Sequence, residues 1–475
     1  MRIGSALFTG GLTLFLLRYL GPDSYGIYAL ALSISGLLGL PIDFGVSRSA
    51  ARFIAERRND VAAVGAVLRS AIRLKAIASG VGALLLIALA DPIASAYGAG
   101  SLAGVLRLVS IAMVAQTFMF LFTTTCEALG RNSVGFGIAV SESALEAVLA
   151  VVLVLAGAGV TGAIAGRVVG YTVAAIVGAI AVTRLLGRGY LTGPGHPDVD
   201  LRRVARFATA LFVIDAAFGA FGYIDILLIG ALLDPRSAGL FSAPAQILTF
   251  TQYAGLALAA GIGPRLSAGM RKASDIDAFR LGLRGLIVVQ FLVVAPLVVW
   301  ATPITDLLFG TSYRESADVL RALTPYAVML GPTPMLALCI NYLGAARNRV
   351  PLAIGAVVIN AVVDLILIPR IGVVAGAVGT DIAFLFFTVG HLRITRSLVA
   401  LPLRPLGLTL FRATVAAAAM SAVLLAFGTS SLTLVEAVAG SVLGILAYGI
   451  TLLATREVTF SDFGAAWGAA RSLAR

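Results

Sequence analysis

The chain has 475 residues, of which 59% are apolar and 12% charged, with a net charge of +12. A soluble domain carries about 25% charged residues, so this composition excludes a soluble globular enzyme and implies an all-α polytopic membrane protein. The positive charge does not indicate nucleic acid, because basic loops in such a chain follow from topology and from anionic lipid headgroups.

Apolar stretches long enough to cross about 30 Å of hydrocarbon as helices are predicted fourteen times, at 3–19, 25–46, 76–90, 102–124, 134–156, 162–182, 207–229, 239–261, 285–303, 322–343, 351–368, 374–391, 406–427 and 433–454. The first reads as a retained helix, since Arg2 is its only leading cation and no Ala-x-Ala cleavage signal follows. Arg48, Arg52, Arg57, Arg58, Arg69, Arg73 and Lys75 crowd the connection 48–75, and Arg184, Arg188, Arg202, Arg203 and Arg206 crowd 184–206. The alternate connections carry few cations, so both termini are expected on the cytoplasmic side of the inner membrane. Pro325, Pro332 and Pro334 fall in one span, which should bend.

The chain repeats itself. Leu20-Gly21-Pro22-Asp23-Ser24-Tyr25-Gly26 recurs loosely as Leu233-Asp234-Pro235-Arg236-Ser237-Ala238-Gly239, at a spacing of 213 that also separates Cys126 from Cys339. The Gly- and Pro-rich loop Gly187–Asp200 divides the copies. The expected organisation is a six-helix lobe (1–186), a cytoplasmic linker (187–206), a second six-helix lobe (207–392), and two extra helices with a tail (393–475). Six helices is an even number, so the repeats enter from the same side and are parallel, related by an axis along the membrane normal, an arrangement typical of transporters.

Charges inside spans are costly, roughly 2.5 kcal/mol or more, and normally face a partner or a wet cavity. Asp43, Glu142, Glu146, Asp215, Asp225, Asp364 and Asp381 are the acidic candidates, and Arg167 is the basic one. Glu142 and Glu146 lie one turn apart, and Asn360 and Asp364 repeat that spacing at an offset of 218. Asp215 and Asp225 have no counterpart, since the main offset leads to Arg2 and Leu12. One reading is that these carboxylates bind H+ or Na+ and couple a gradient to transport; the other is that they pair with Arg167 or loop arginines. Two lone cysteines and two histidines, His196 and His391, make no metal site or disulfide, and no cofactor is expected. Asp275 and Asp277 form an Asp-x-Asp of glycosyltransferase type, but in a short connection without a nucleotide-binding domain; no catalytic set is found, so an enzyme is not expected.

The stretches Arg18–Leu30, Asp43–Phe53 and Asp225–Gly230 resemble the polysaccharide transporter family, the Wzx-like flippases of the multidrug/oligosaccharidyl-lipid/polysaccharide exporter superfamily. That resemblance implies two lobes and fourteen helices that move a polyprenyl-diphosphate-linked saccharide between leaflets. Arg48, Arg52, Arg18 and Arg167 then become candidates for attracting the diphosphate, since guanidinium forks match phosphate oxygens; the alternative is topogenic charge, and for Arg52 an i,i+4 pair with Glu56. A polysaccharide polymerase and glycosyltransferases are the implied partners, beside anionic lipids. Two other readings remain open: a drug or cation exporter of the same superfamily, and a non-transporting scaffold for polysaccharide assembly.

Overall fold

The computed structural model describes residues 3–43, 45–187, 201–267, 273–399 and 401–458, with the side chains of 3, 201–211, 214, 215, 250 and 253–274 outside the described set. Among the described residues all regular structure is helical. Helix α1 (Ile3–Asp43) is two helices joined at Gly21, where φ is 71°, a left-handed value that glycine adopts without a Cβ clash. Next come α2 (Val46–Glu56) and α3 (Val61–Ala88). The sequence reading placed 48–75 in a connection, whereas α3 begins at Val61, with the Asp60 carboxylate accepting the Ala63 N–H at 3.0 Å as an N-cap. Lys75 therefore lies inside a helix.

Then follow α4 (Ala90–Ala96), α5 (Gly100–Ala128) and α6 (Asn132–Leu153), after which the chain turns back at Gly157 and Gly159, where φ is 92° and 52°, into α7 (Gly159–Leu186). α8 (Leu201–Leu232) starts six residues ahead of the expected lobe boundary at 207, and most of the linker 187–206 lies outside the described residues. The second half continues with α9 (Pro235–Ser267), α10 (Ala273–Val299), α11 (Ala301–Phe309), α12 (Ser316–Ala322), α13 (Thr324–Leu330), α14 (Pro332–Tyr342), α15 (Val350–Ile371), α16 (Val374–Leu398), α17 (Leu403–Ala426) and α18 (Leu434–Ala454).

Among the described residues nine helices are long and apolar enough to cross a membrane, ten if the bent pair at 316–342 is one span. The expected number was fourteen. The difference arises because α1, and the hairpin α6–α7 taken together, each cover two predicted segments, and because parts of α8 and α9 lie outside the described side chains. Large apolar side chains such as Leu84, Ile176, Leu434 and Val435 face outward, the pattern of a multi-pass membrane protein whose solvent is lipid. The bend of 50° between Ser316–Ala322 and Thr324–Tyr342 falls at Leu323, just before Pro325, which lacks an N–H and cannot continue the preceding helix.

Two compact units divide the chain: Met1–Ser242 with Asn360–Gly376, and Ala243–Ile359 with Ala377–Arg475. These bounds differ from the expected lobes because α8 packs on α1 and the C-terminal half of α15 joins it. Within the first unit the duplicated turns meet each other. A side chain at Gly26 would collide with the Pro235 carbonyl, and one at Gly239 with the Pro22 carbonyl, so the contact is reciprocal under the repeat. Asp23 and Arg236, themselves repeat mates, form an ion pair at 3.2 Å beside it. Cys126 lies in an apolar core built from α2, α3, α5, α6 and α7.

In the second unit α17 and α18 are fastened to α10. The Tyr448 hydroxyl donates to the Val288 carbonyl at 2.7 Å, and Trp300 Nε1 donates to the carbonyls of Leu424 and Gly428, each at 3.2 Å. Beyond α18, Glu457 accepts from Arg284 at 2.8 Å, Arg412 at 3.0 Å and Thr409 at 2.5 Å. Burial raises the Glu457 pKa, but these donors outweigh it and hold the carboxyl below its ordinary value. Cys339 sits in the core of α10, α14 and α17; both cysteines are buried and neither is in a disulfide.

Candidate functional site

Two buried polar clusters occupy the first unit. The one on α6 and α7 exists because the helices approach closely: a Cβ at Gly166 would overlap the Ala150 backbone, and one at Gly170 would lie 3.1 Å from the Glu146 Cβ. That approach sets Arg167 against Glu146. Arg167 Nη1 donates to Glu146 Oε1 at 2.9 Å and Nη2 to the Tyr171 hydroxyl at 3.0 Å, while Gln116 Nε2 donates to the same hydroxyl at 3.1 Å. The guanidinium also lies 5.0 Å from the centre of the Tyr171 ring, a cation–π distance. Glu142, one turn before Glu146, accepts from the Ser143 hydroxyl at 3.0 Å through Oε2. Its Oε1 is buried and has no hydrogen-bond partner among the described residues.

The second cluster joins α8 to α15. Asn360 Nδ2 donates to Asp225 Oδ1 and, at 3.3 Å, to Asp364 Oδ2, so both amide hydrogens go to carboxylates. Asp225 is 6% exposed, and Asn360 and Asp364 are wholly buried. Asp364 Oδ1 and Asn360 Oδ1 are left without a hydrogen-bond partner among the described residues. Two oxygens without donors, beside two acidic groups, form an oxygen-only donor set of the kind hard cations take. Among the described residues no group of three or more His, Cys, Asp or Glu is placed to hold a metal ion.

The remaining candidates are dispersed. Asp43 accepts from Lys75 Nζ at 2.5 Å and from Ser47 Oγ at 2.8 Å, and the wholly buried Lys75 also donates to the Thr117 carbonyl at 3.3 Å. Asp381 accepts the Tyr326 backbone N–H at 2.8 Å, in the first turn of the helix that restarts at Thr324. The Asp215 side chain lies outside the described residues. Arg18, Arg48 and Arg52 are exposed, and Arg52 Nε pairs with Glu56 at 2.9 Å. His391 is buried, with Nε2 accepting from Arg349 at 2.9 Å and Nδ1 2.8 Å from the Phe387 carbonyl.

Sequence reasoning missed Lys75, Tyr171, Gln116 and Glu457. The first was hidden among topogenic cations, though it is one of few lysines in an arginine-rich chain. The uncharged Tyr171 and Gln116 gave no signal, and Glu457 lay past the last predicted span.

Residues 15–318 match the profile of a family described as polysaccharide biosynthesis protein, and residues 254–448 match that of the lipid II flippase MurJ. A Shigella flexneri protein provisionally named O-antigen transporter is 22% identical over 65% of this chain and 74% of its own length. A Haloferax volcanii protein provisionally named low-salt glycan biosynthesis flippase Agl15 is 24% identical over 97% of this chain and 95% of its own. Both names describe transport and neither describes catalysis.

Among solved structures, lipid II flippase MurJ in an inward closed conformation aligns with a TM-score of 0.75 at 13% identity, over 95% of this chain and 98% of that one. An inward-facing multidrug resistance MATE transporter of the MOP superfamily aligns with a TM-score of 0.69 at 17% identity, over 84% and 97%. The fold is therefore that of these transporters, and since the first profile covers well over half of the sequence, the chain belongs to the polysaccharide biosynthesis protein family.

Proposed function

We propose that this protein is an alternating-access flippase that moves a polyprenyl-diphosphate-linked oligosaccharide or polysaccharide precursor across the cytoplasmic membrane. The family membership and the flippase names of the relatives support the substrate class. The cluster of Asp225, Asn360 and Asp364 carries the mechanism: a buried acidic site with two undonated oxygens is suited to a monovalent cation, H+ or Na+, taken from one side and released to the other. Binding neutralises the acidic pair, and differential affinity between two conformations is what converts a gradient into a population shift. Exposed Arg48, Arg52 and Arg18 would draw the diphosphate headgroup, with both termini in the cytoplasm and a polymerase and glycosyltransferases acting before and after the step.

Reconstitution tests this reading. Vesicles carrying the full chain and a polyprenyl-diphosphate saccharide are given a sodium or proton gradient, and saccharide reaching the far leaflet is measured by its accessibility to an added glycosidase. Gradient-dependent flipping that Asp225→Asn and Asp364→Asn abolish, with normal expression, supports it; flipping indifferent to both variants rejects the coupling role. The likeness to a multidrug transporter favours a drug or cation exporter as the second reading. Efflux of an organic cation from the same vesicles, without saccharide flipping, would select it.

A further inference from the structure

The acidic pairs of the two repeats are neutralised in different ways. On α6 and α7, Arg167 supplies Glu146 with a counter-charge at 2.9 Å and is itself held by the Tyr171 hydroxyl and ring. A metal cation bound at Glu146 would have to sit against this guanidinium, and like charges at contact distance oppose that. Arg167 does not, however, balance the cluster. Two carboxyl groups face one guanidinium, and Glu142 and Glu146 are only 6% and 8% exposed. The groups that meet Glu142 are Arg167 and Tyr171 from α7, Tyr28 from α1 through Arg167, and Glu146 and Ser143 from α6 itself. From α5 the Gln116 amide donates to the Tyr171 hydroxyl of the same cluster. One negative charge is left over, and the oxygen without a donor is Glu142 Oε1.

We propose that Glu142 is a proton-binding site in the first repeat, with Arg167 acting as a fixed counter-charge that keeps Glu146 ionised and a metal cation out. A proton carried by hydronium from the aqueous phase joins Oε1: an O–H bond forms there, the hydronium O–H bond breaks and water leaves, with no change of oxidation state. It removes the surplus charge and turns the orphaned acceptor into a donor, with the Glu146 carboxyl in reach to accept. The binding stands independently of what is transported; its use as a driving ion rests on the flippase reading above.

Infrared difference spectra of the full chain in lipid nanodiscs, taken between mildly acidic and alkaline pH, read the proton directly. The expected result is a protonated-carboxyl band that disappears with rising pH in the native protein, is absent from Glu142→Gln, persists at a shifted frequency in Glu142→Asp, and survives Asp364→Asn. A band unchanged in Glu142→Gln, or lost in Asp364→Asn alone, overturns the assignment. Glu142→Asp keeps the test valid if the glutamine variant does not fold. In Arg167→Gln, labelled sodium bound per chain should rise by one; no rise overturns the counter-charge role. If native vesicles show no saccharide flipping while the band behaves as described, the transport reading fails and the proton site stands.

Discussion

The α6–α7 cluster and the α8–α15 cluster are built on the same spacing of acidic or amide side chains, yet one contains its own cation and the other does not. Gly162-Ala163-Ile164 aligns with Gly376-Ala377-Val378 at a spacing of 214, which sets Arg167 opposite Asp381. In the first repeat that place holds a guanidinium bonded to Glu146; in the second it holds a carboxylate bonded to the backbone of the restarted helix at Tyr326. At the aligned position one copy therefore carries a cation bonded to a neighbouring carboxylate and the other carries a further acid.

The largest expected effect breaks the second cluster. Asp364→Asn removes the charge but keeps the shape, and cation affinity should fall roughly 10–100-fold, measured as sodium binding to the purified chain; unchanged affinity would place the ion elsewhere. Next comes the first cluster. Arg167→Gln strands the Glu146 charge and should cost about 3 kcal/mol of stability, followed by thermal unfolding in detergent. The double variant Arg167→Gln with Glu146→Gln should recover most of that loss, because the stranded charge is gone. If the double variant is no better than the single one, the ion pair is not what holds α6 and α7 at this point.

Two smaller effects keep the comparison clean. Glu457 lies outside the spans and its pKa is lowered from 4.5, so its stabilisation is full above the unfolded value and is lost as pH falls through the lowered folded one. Glu457→Gln should lower stability by about 2 kcal/mol through its charged hydrogen bonds and flatten the acid limb of a stability–pH curve below the ordinary carboxylate range. A change confined to neutral pH would contradict that sign. Arg52→Ala should cost no more than about 0.5 kcal/mol, since an exposed i,i+4 pair contributes little; a large loss of stability would show that Arg52 is more than a surface partner of Glu56.

Much of the fold was legible because hydrocarbon and chain sterics act locally. Long apolar runs and a proline-broken span each predict their element from nearby residues alone, and the described parts of the predicted spans fall mostly on helix. The start of α3 was not legible, because Val61 to Lys75 mixes cations with apolar residues, and only packing shows that Lys75 turns inward to Asp43. The sites divide in the same way. Sequence could mark Glu142, Glu146, Arg167, Asp225 and Asp364 as costly charges and note the shared four-residue spacing. It could not pair them, since Arg167 lies 21 residues from Glu146, and Asn360 lies 135 from Asp225.

The duplicated turn shows the boundary most clearly. Its two copies and their glycines were visible in the sequence, with a change of Asp23 to Arg236 between them. That the copies pack on each other, carbonyl of one against glycine of the other, and that Asp23 and Arg236 thereby become an ion pair, was decided by tertiary structure. Apolarity and periodicity determine that a segment is a membrane helix, because each residue meets lipid or its own backbone. Which charges neutralise one another depends on distances between helices, and those are set by small residues such as Gly166 and Gly170 at contacts that no local pattern encodes.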